Sequence, residues 1–203
     1  MKYKSILCLN GDLPEKAFFE SFSHLPIIAA DGAANKLNKI GVNFLVAIGD
    51  MDSINPDLQV QKIYHADQNL CDFEKALNYL ESLNFLPSII LGMNGGEFDH
   101  VLNNTSVFMM NKYENIFYAA PLYGVKLNKD LNNIHLPVNT KVSIIGMPNA
   151  VITTQGLKWN LHKHQLSFPG FNSCLNISTS NNLQVQLFDG DAIFMAHSFF
   201  EKL

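Results

Sequence analysis

Arginine is absent from this chain. All fourteen basic residues are lysine, so a bound anion must be held by ammonium groups, backbone N–H groups or a metal ion. A bidentate guanidinium fork from the same chain is excluded. Long apolar runs are missing too. None approaches the ~20 residues that cross a bilayer, so no membrane partner is expected. Cysteine is scarce and odd in number. Cys8, Cys71 and Cys174 are widely spaced, which argues against a disulfide framework and fits reduced thiols in a cytoplasmic setting. A basic balance is also lacking. The formal net charge of −4 argues against nucleic acid as the partner, since binding the phosphate backbone needs a basic face. The opening MKYKSILCLNGD reads as a first buried strand, not a signal peptide, because its apolar stretch is short and runs into Gly-Asp.

What is present is an ordinary globular composition, 47% hydrophobic over 203 residues, long enough to bury a core. Up to about residue 120, short apolar runs alternate with helical patterns, the signature of a parallel α/β sheet. Strands are predicted at Ser5–Leu9, Ile27–Ala30, Leu45–Ile48, Lys62–Tyr64, Ser88–Leu91 and Asn115–Ala119. Helices are predicted from Pro14 to Phe22, at Ala33–Ile40, at Asp72–Leu83 and at Phe98–Lys112. Phe73, Ala76, Leu77, Leu80 and Leu83 share one face of the third helix. Val101, Leu102, Thr105, Phe108 and Met109 form the buried side of the fourth. After Pro121 the helical period disappears. Leu183–Leu187 alternates strictly as a half-buried strand does. Further strands are expected at Lys141–Ile145, Ala150–Thr153, Leu157–Leu161, Leu175–Thr179 and Asp191–Ala196. The predicted fold is a parallel-sheet α/β domain over 1–125, then a small antiparallel β-sandwich over 130–203, with the boundary near 121–135.

Ligands of open parallel sheets bind beyond the carboxyl ends of the strands. Those ends carry Asn10-Gly11-Asp12, Asp31-Gly32, Gly49-Asp50-Met51-Asp52-Ser53, Asp67 through Asp72, and Gly92 through His100. Asp50 and Asp52 are two apart, which in an extended segment puts both carboxylates on one side. With Asp31 and Asp72 they make four carboxylates that repel one another unless a hard cation joins them. Oxygen donors suit Mg²⁺, which prefers to share its shell with phosphates, so the cluster predicts a nucleotide-phosphate substrate. Gly95-Gly96 ahead of a helix lets backbone N–H groups approach a phosphate. Asp12 and Asp57 read as structural or solvated. His162 and His164 read as surface residues, having no third zinc ligand nearby. Trp159, the sole tryptophan, reads as a core-packing residue. Lys75 is a possible phosphate partner, yet its helical position fits a solvated side chain equally well.

Taken in order, these motifs resemble the thiamine pyrophosphokinase family. Ala30-Asp31-Gly32-Ala33, Ile48 through Ser53, Asp67-Gln68 through Asp72-Phe73-Glu74-Lys75-Ala76-Leu77, and Gly95 through His100 are similar to four motifs of its catalytic domain. Gly156 through Leu161 and Ser178-Thr179-Ser180-Asn181 are similar to two motifs of its thiamine-binding domain. The resemblance implies Mg²⁺-dependent transfer of diphosphate from ATP to thiamine, by a homodimer whose active sites lie between subunits. It implies catalytic roles for Asp50, Asp52 and Asp72, and a Mg²⁺ site of Asp31, Asp50, Asp52 and Asp72. ATP binding would fall to Asn10, Gly11, Asp31, Gly32, Gly95, Gly96, Asp99 and His100, and thiamine binding to Gln68, Ser178, Ser180 and Asn181. Three positions depart from the family pattern. Glu97 stands where arginine is usual, Cys71 where threonine is usual, and Asn69 where aspartate is common. A pyrophosphokinase for another alcohol such as a pterin, a diphosphate hydrolase, and a thiamine or nucleotide binder without turnover remain as alternative readings.

Overall fold

A computed structural model describes residues 2–202. They divide into two compact units that meet in sequence between Ala119 and Ala120. The division thus falls just ahead of the 121–135 stretch where the pattern change puts it.

The first unit holds strands β1 (Ser5–Cys8), β2 (Ile27–Ala30), β3 (Val46–Gly49), β4 (Lys62–Tyr64), β5 (Ser88–Leu91) and β6 (Ile116–Ala119). All pair in parallel, in the order β6-β5-β1-β2-β3-β4. β1, β2, β3 and β5 are buried at every residue, which is why they read as unbroken apolar runs and not as alternations. Helices α1 (Lys16–Glu20), α2 (Ala33–Lys39), α3 (Asp72–Ser82) and α4 (Phe98–Met110) make the crossovers. α3 buries Phe73, Ala76, Leu77 and Leu80. Its start is fixed by Glu74, whose Oε2 accepts the Cys71 N–H at 2.9 Å, half of a capping box. Leu83 falls beyond the last helical residue and is exposed. α4 departs from its expected face. Phe108 and Met109 are buried, but Leu102 is 49% exposed. The helix packs through its C-terminal half only, while residues of its first two turns line a cleft.

The second unit is antiparallel and, among the described residues, has no helix. Two 15-residue strands, β9 (Lys141–Gln155) and β12 (Asn182–Ala196), pair along their length. Each was expected as two short strands. Instead each continues through an irregularity and changes neighbours. β12 pairs with β8 (Asp130–His135) over its first half and with β7 (Leu122–Lys126) over its second. β9 pairs with β11 (Ser173–Ile177) near its start and with β10 (His164–Ser167) farther on. Register shifts between Leu187 and Asp189 and between Gly190 and Ala192 let β12 bend, as bulges do where strands pass from one sheet to another. A short β13 (Glu201–Lys202) adds to β8. β7, β8 and β13 carry no clean alternation and were not anticipated, while β10 begins at His164, which the alternation of His162 and His164 put on a strand. Leu157–Leu161 is not a strand. Only Leu157 makes a bridge, to Ser178, and the Asn160 Oδ1 accepts the Leu157 N–H at 3.0 Å and so closes the segment as a loop.

The three cysteines are free. Cys8 lies wholly inside β1, and burial pushes its thiol far above the ordinary range. Cys174 is exposed. A thiol reagent should therefore modify Cys174 first, Cys71 more slowly, and Cys8 only on unfolding. Rapid modification of Cys8 in the folded protein would contradict the buried β1.

Candidate active site

From β1 the sheet runs outward to β4 and then resumes with β5 on the other side of β1. Such reversals open a crevice at the strands' carboxyl ends. A cleft of about 640 Å³ lies there in the first unit, lined by the ends of β1, β2, β3 and β5 and by the starts of α3 and α4. That volume is in the range of small-molecule sites.

Asp31, Asp50 and Asp72 meet in this cleft. Each offers a carboxylate oxygen, and the three oxygens lie within 4.8 Å of one another. The local backbone makes this approach possible. Asp31 follows β2 with φ 40°, held by its N–H to Ile48 O at 2.8 Å. A side chain at Gly49 would put a Cβ 2.8 Å from Asp31 Cβ and 3.2 Å from Asp72 Oδ1, so only glycine lets these groups close in. Asp31 is 3% exposed, and its Oδ1 has no hydrogen-bond partner. Burial, followed by the charges of Asp72 and Asp52, raises its pKa. A buried carboxylate oxygen without a donor costs stability. Beside two further carboxylates it fits a hard divalent cation. Asp50 is held below the usual carboxylate range, chiefly by the Asp52 N–H and then by the Gln68 amide, whose Nε2 donates to Asp50 Oδ2 at 3.4 Å.

The sequence reading left the place of Lys75 open. It is 2% exposed, with Nζ 3.1 Å from Asp72 Oδ1 and 3.9 Å from Asp50 Oδ2. Burial alone would lower its pKa, but the hydrogen bond with Asp72 and the charges of Asp72, Asp50 and Asp31 outweigh it and hold the ammonium ionised. It is not solvated but paired with carboxylates at the wall of the cleft. The available signal was its i,i+3 spacing from Asp72 on a helix.

Asp52 also lines the cleft but stands outside the group of three. The chain is not extended there. Met51 has φ 67°, and residues 51–54 form a bend. Asp52 Oδ1 instead accepts the Ser53 hydroxyl at 2.8 Å. Asp72 is the first residue of α3, so the cap position belongs to Cys71. Asn10, Gly11, Gln68, Gly95, Gly96 and His100 all line the cleft. Gly95 has φ 85°, and a Cβ there would strike the Asp12 carboxylate at 2.4 Å, so this turn requires glycine. Lys36 Nζ donates to Asn10 O and Gly11 O at 2.7 and 2.6 Å, fixing the loop after β1. Gly32 stands at the N-cap of α2 behind Asn10. Asp99 does not line the cleft. It is exposed, and its Oδ1 accepts the His100 N–H at 2.8 Å. Glu97 does face the cleft, as do Asn103 and Asn104, which sequence reading passed over although they lie one turn beyond His100. Asn69 turns its amide back onto Asp67 at 2.9 Å. The Cys71 thiol is pushed up, mainly by burial, which makes it a poor nucleophile.

In the second unit, Ser178 is buried and its hydroxyl is fully engaged. It donates to Pro137 O at 2.8 Å and accepts the Thr140 N–H at 2.9 Å. Its role there is structural, which corrects its assignment to ligand binding. Ser180 is half-buried, its Oγ accepting the Asn182 N–H at 3.1 Å, and Asn181 is exposed. Trp159 is not a core residue. Its loop is tied by Asn176, which bonds both Trp159 N and O, and leaves the ring 56% exposed under Lys158 Nζ, 4.7 Å from the centroid. No helix among the described residues is long and apolar enough to cross a membrane.

The sequence matches the family described as "Thiamin pyrophosphokinase, catalytic domain" over residues 22–118. It matches "Thiamin pyrophosphokinase, vitamin B1 binding domain" over residues 127–187. Among curated relatives, Thiamine pyrophosphokinase 3 of Oryza sativa subsp. japonica is 28% identical over 169 residues, and Thiamine pyrophosphokinase 1 of the same plant is 29% identical over 179. Each match covers 72% of this chain and 63% of the relative, so the chain spans less than two thirds of their length. Among solved structures, thiamine pyrophosphokinase from Bacillus subtilis superposes with a TM-score of 0.79 at 19% identity, covering 96% of this chain and 99% of that one. The yeast enzyme superposes with a TM-score of 0.80 at 19% identity, covering 100% and 87%. At these identities the structures establish the shared fold, an α/β unit with a parallel sheet followed by an antiparallel β unit.

Proposed function

The chain belongs to the thiamin pyrophosphokinase family, and from that premise we propose that it transfers the diphosphate of ATP to the hydroxyl of thiamine, releasing AMP. The observation that carries this reading is the convergence of Asp31, Asp50 and Asp72 at the carboxyl edge of the sheet, with one buried oxygen left without a donor. The ion these residues would hold is Mg²⁺, with Asp52 at the rim. When bound, it supplies neutralisation of the phosphate oxygens and of the leaving AMP.

In the proposed reaction the hydroxyl oxygen of thiamine bonds to the β-phosphorus, and the bond from that phosphorus to the α–β bridging oxygen breaks. AMP leaves, and the hydroxyl proton is released. The chain's own contribution is placement. Gly95-Gly96, just ahead of α4, line the cleft together with Asn10, Gly11 and His100. Gln68 is the thiamine candidate in this cleft. Ser180 and Asn181 are the candidates in the second unit. A homodimer with its active site at the subunit interface, in a cytoplasmic setting, belongs to the same proposal. Exposed Phe168 and Phe171 in the second unit support the first part, and three free thiols the second.

The direct test is incubation with ATP, Mg²⁺ and thiamine. Thiamine diphosphate and AMP in equal amounts are expected. Phosphate release without thiamine would indicate a hydrolase, and binding without AMP a non-catalytic protein. Glu97 provides a second check. A carboxylate facing a polyphosphate repels it, and no arginine elsewhere compensates. Glu97→Arg should lower the KM for ATP by about fivefold or more. An unchanged KM would place the Glu97 side chain out of reach of the phosphates.

A further inference from the structure

We infer that Lys75 sets the charge of the carboxylate cluster, matching it to one divalent ion and discriminating against ions of higher charge. This rests on the reading of Asp31, Asp50 and Asp72 as a cation site. Three ionised carboxylates carry three negative charges, and the Lys75 ammonium cancels one. Within the group of three the remaining two equal the charge of a single divalent cation, with Asp52 farther out at the rim of the cleft. Lys75 cannot leave the cluster to be replaced by solvent. It is 2% exposed, it rises from the second turn of α3, and its Nζ bridges carboxylates from two different elements, 3.1 Å from Asp72 Oδ1 and 3.9 Å from Asp50 Oδ2. The unpartnered, buried Asp31 Oδ1 is the independent sign that a ligand belongs among these groups. Among the described residues no other ammonium lines the cleft. Lys36 is spent on the carbonyls of Asn10 and Gly11. Lys75 is thus a positioning and charge-setting residue that acts through Asp50 and Asp72.

The consequence is specific. Removing the ammonium leaves an uncompensated negative charge a few ångströms from any ion in the site. Every ion gains from this in proportion to its own charge, so a trivalent ion gains more than a divalent one. Comparing Ca²⁺ with Tb³⁺, ions of similar radius, cancels losses that come only from loosened geometry. With the full chain and no substrates, binding of each ion alone is measured by calorimetric titration. In Lys75→Met, the affinity for Tb³⁺ relative to Ca²⁺ should rise by at least about tenfold over the unmodified protein. Lys75→Arg keeps the charge and should keep the original ratio. An unchanged ratio in Lys75→Met, or a Lys75→Arg ratio that moves as far as that of Lys75→Met, would overturn the charge-setting role while leaving the cation site standing. Failure of both ions to bind the unmodified protein would overturn the site itself, and the role of Lys75 with it. Should Lys75→Met not fold, Lys75→Gln takes its place with the same expected direction.

Discussion

Asp50→Asn and Asp72→Asn are each expected to lower turnover by at least about a hundredfold while leaving the protein folded. Both side chains sit at the end of well-anchored elements. Asp50 follows β3, every residue of which is buried, and Asp72 opens α3, which is held by four buried apolar side chains. Neither carboxylate is part of the core packing, and asparagine has nearly the same shape. The loss is therefore one of charge and cation affinity, not of architecture. Asp50 has a further signature. Its carboxyl is held below the usual range, first by the Asp52 N–H. The folded state thus gains from its ionised form above the unfolded pKa and loses that gain as pH falls through the depressed value. Asp50→Asn should flatten this part of the acid limb. Steady-state turnover at saturating ATP and Mg²⁺, with melting curves alongside, checks the pair. Full activity in both variants would discard the cluster as the catalytic centre.

Asp31→Asn should separate stability from activity in the opposite sense. Asp31 is buried with an oxygen that no donor reaches, and burial raises its pKa. The folded protein holds this proton to higher pH than the unfolded chain does. Its contribution to stability is therefore complete below the unfolded pKa and is lost as pH rises through the raised value. At neutral pH, without metal, the charge is a cost of roughly 1–3 kcal/mol. In chelator, Asp31→Asn should melt several degrees higher than the unmodified protein, at about 2–4 °C per kcal/mol for a chain of this size. The gap should close toward pH 4. In Mg²⁺ the variant should be inactive and should lose the metal-induced rise in melting temperature. Equal melting of the two proteins in chelator at neutral pH would show that Asp31 stores no such cost.

The sequence was most informative where one physical rule dominated. β2 and β5 fall at the expected residues. A parallel strand buried on both faces is an apolar run closed by turn residues, and nothing else nearby competes. Asp31, Asp50 and Asp72 were legible for the same reason, since each ends a strand or opens a helix on one edge of the sheet. Asp52 was misplaced because alternation was assumed, whereas Met51 turns the chain. Lys75 was ambiguous because helical spacing tells which residues share a face but not whether a lysine there meets solvent or two carboxylates. The second unit was less legible. Its long strands β9 and β12 are broken in pattern by bulges, so each looked like two. Asn160 and Asn176 hold the Trp159 loop by side-chain bonds that have no periodic trace. Ser178 shows the converse. Its polar side chain in a binding-domain motif suggested a ligand contact, yet its hydroxyl closes a gap between Pro137 and Thr140.

The most direct measurement is anomalous scattering from crystals grown with Mn²⁺ and a non-hydrolysable ATP analogue. The expected result is an ion bounded by the carboxylates of Asp31, Asp50 and Asp72 and touching the phosphates of the analogue, with Lys75 still buried beside Asp72. A saturating concentration of Mn²⁺ that leaves no ion among these three side chains would contradict it.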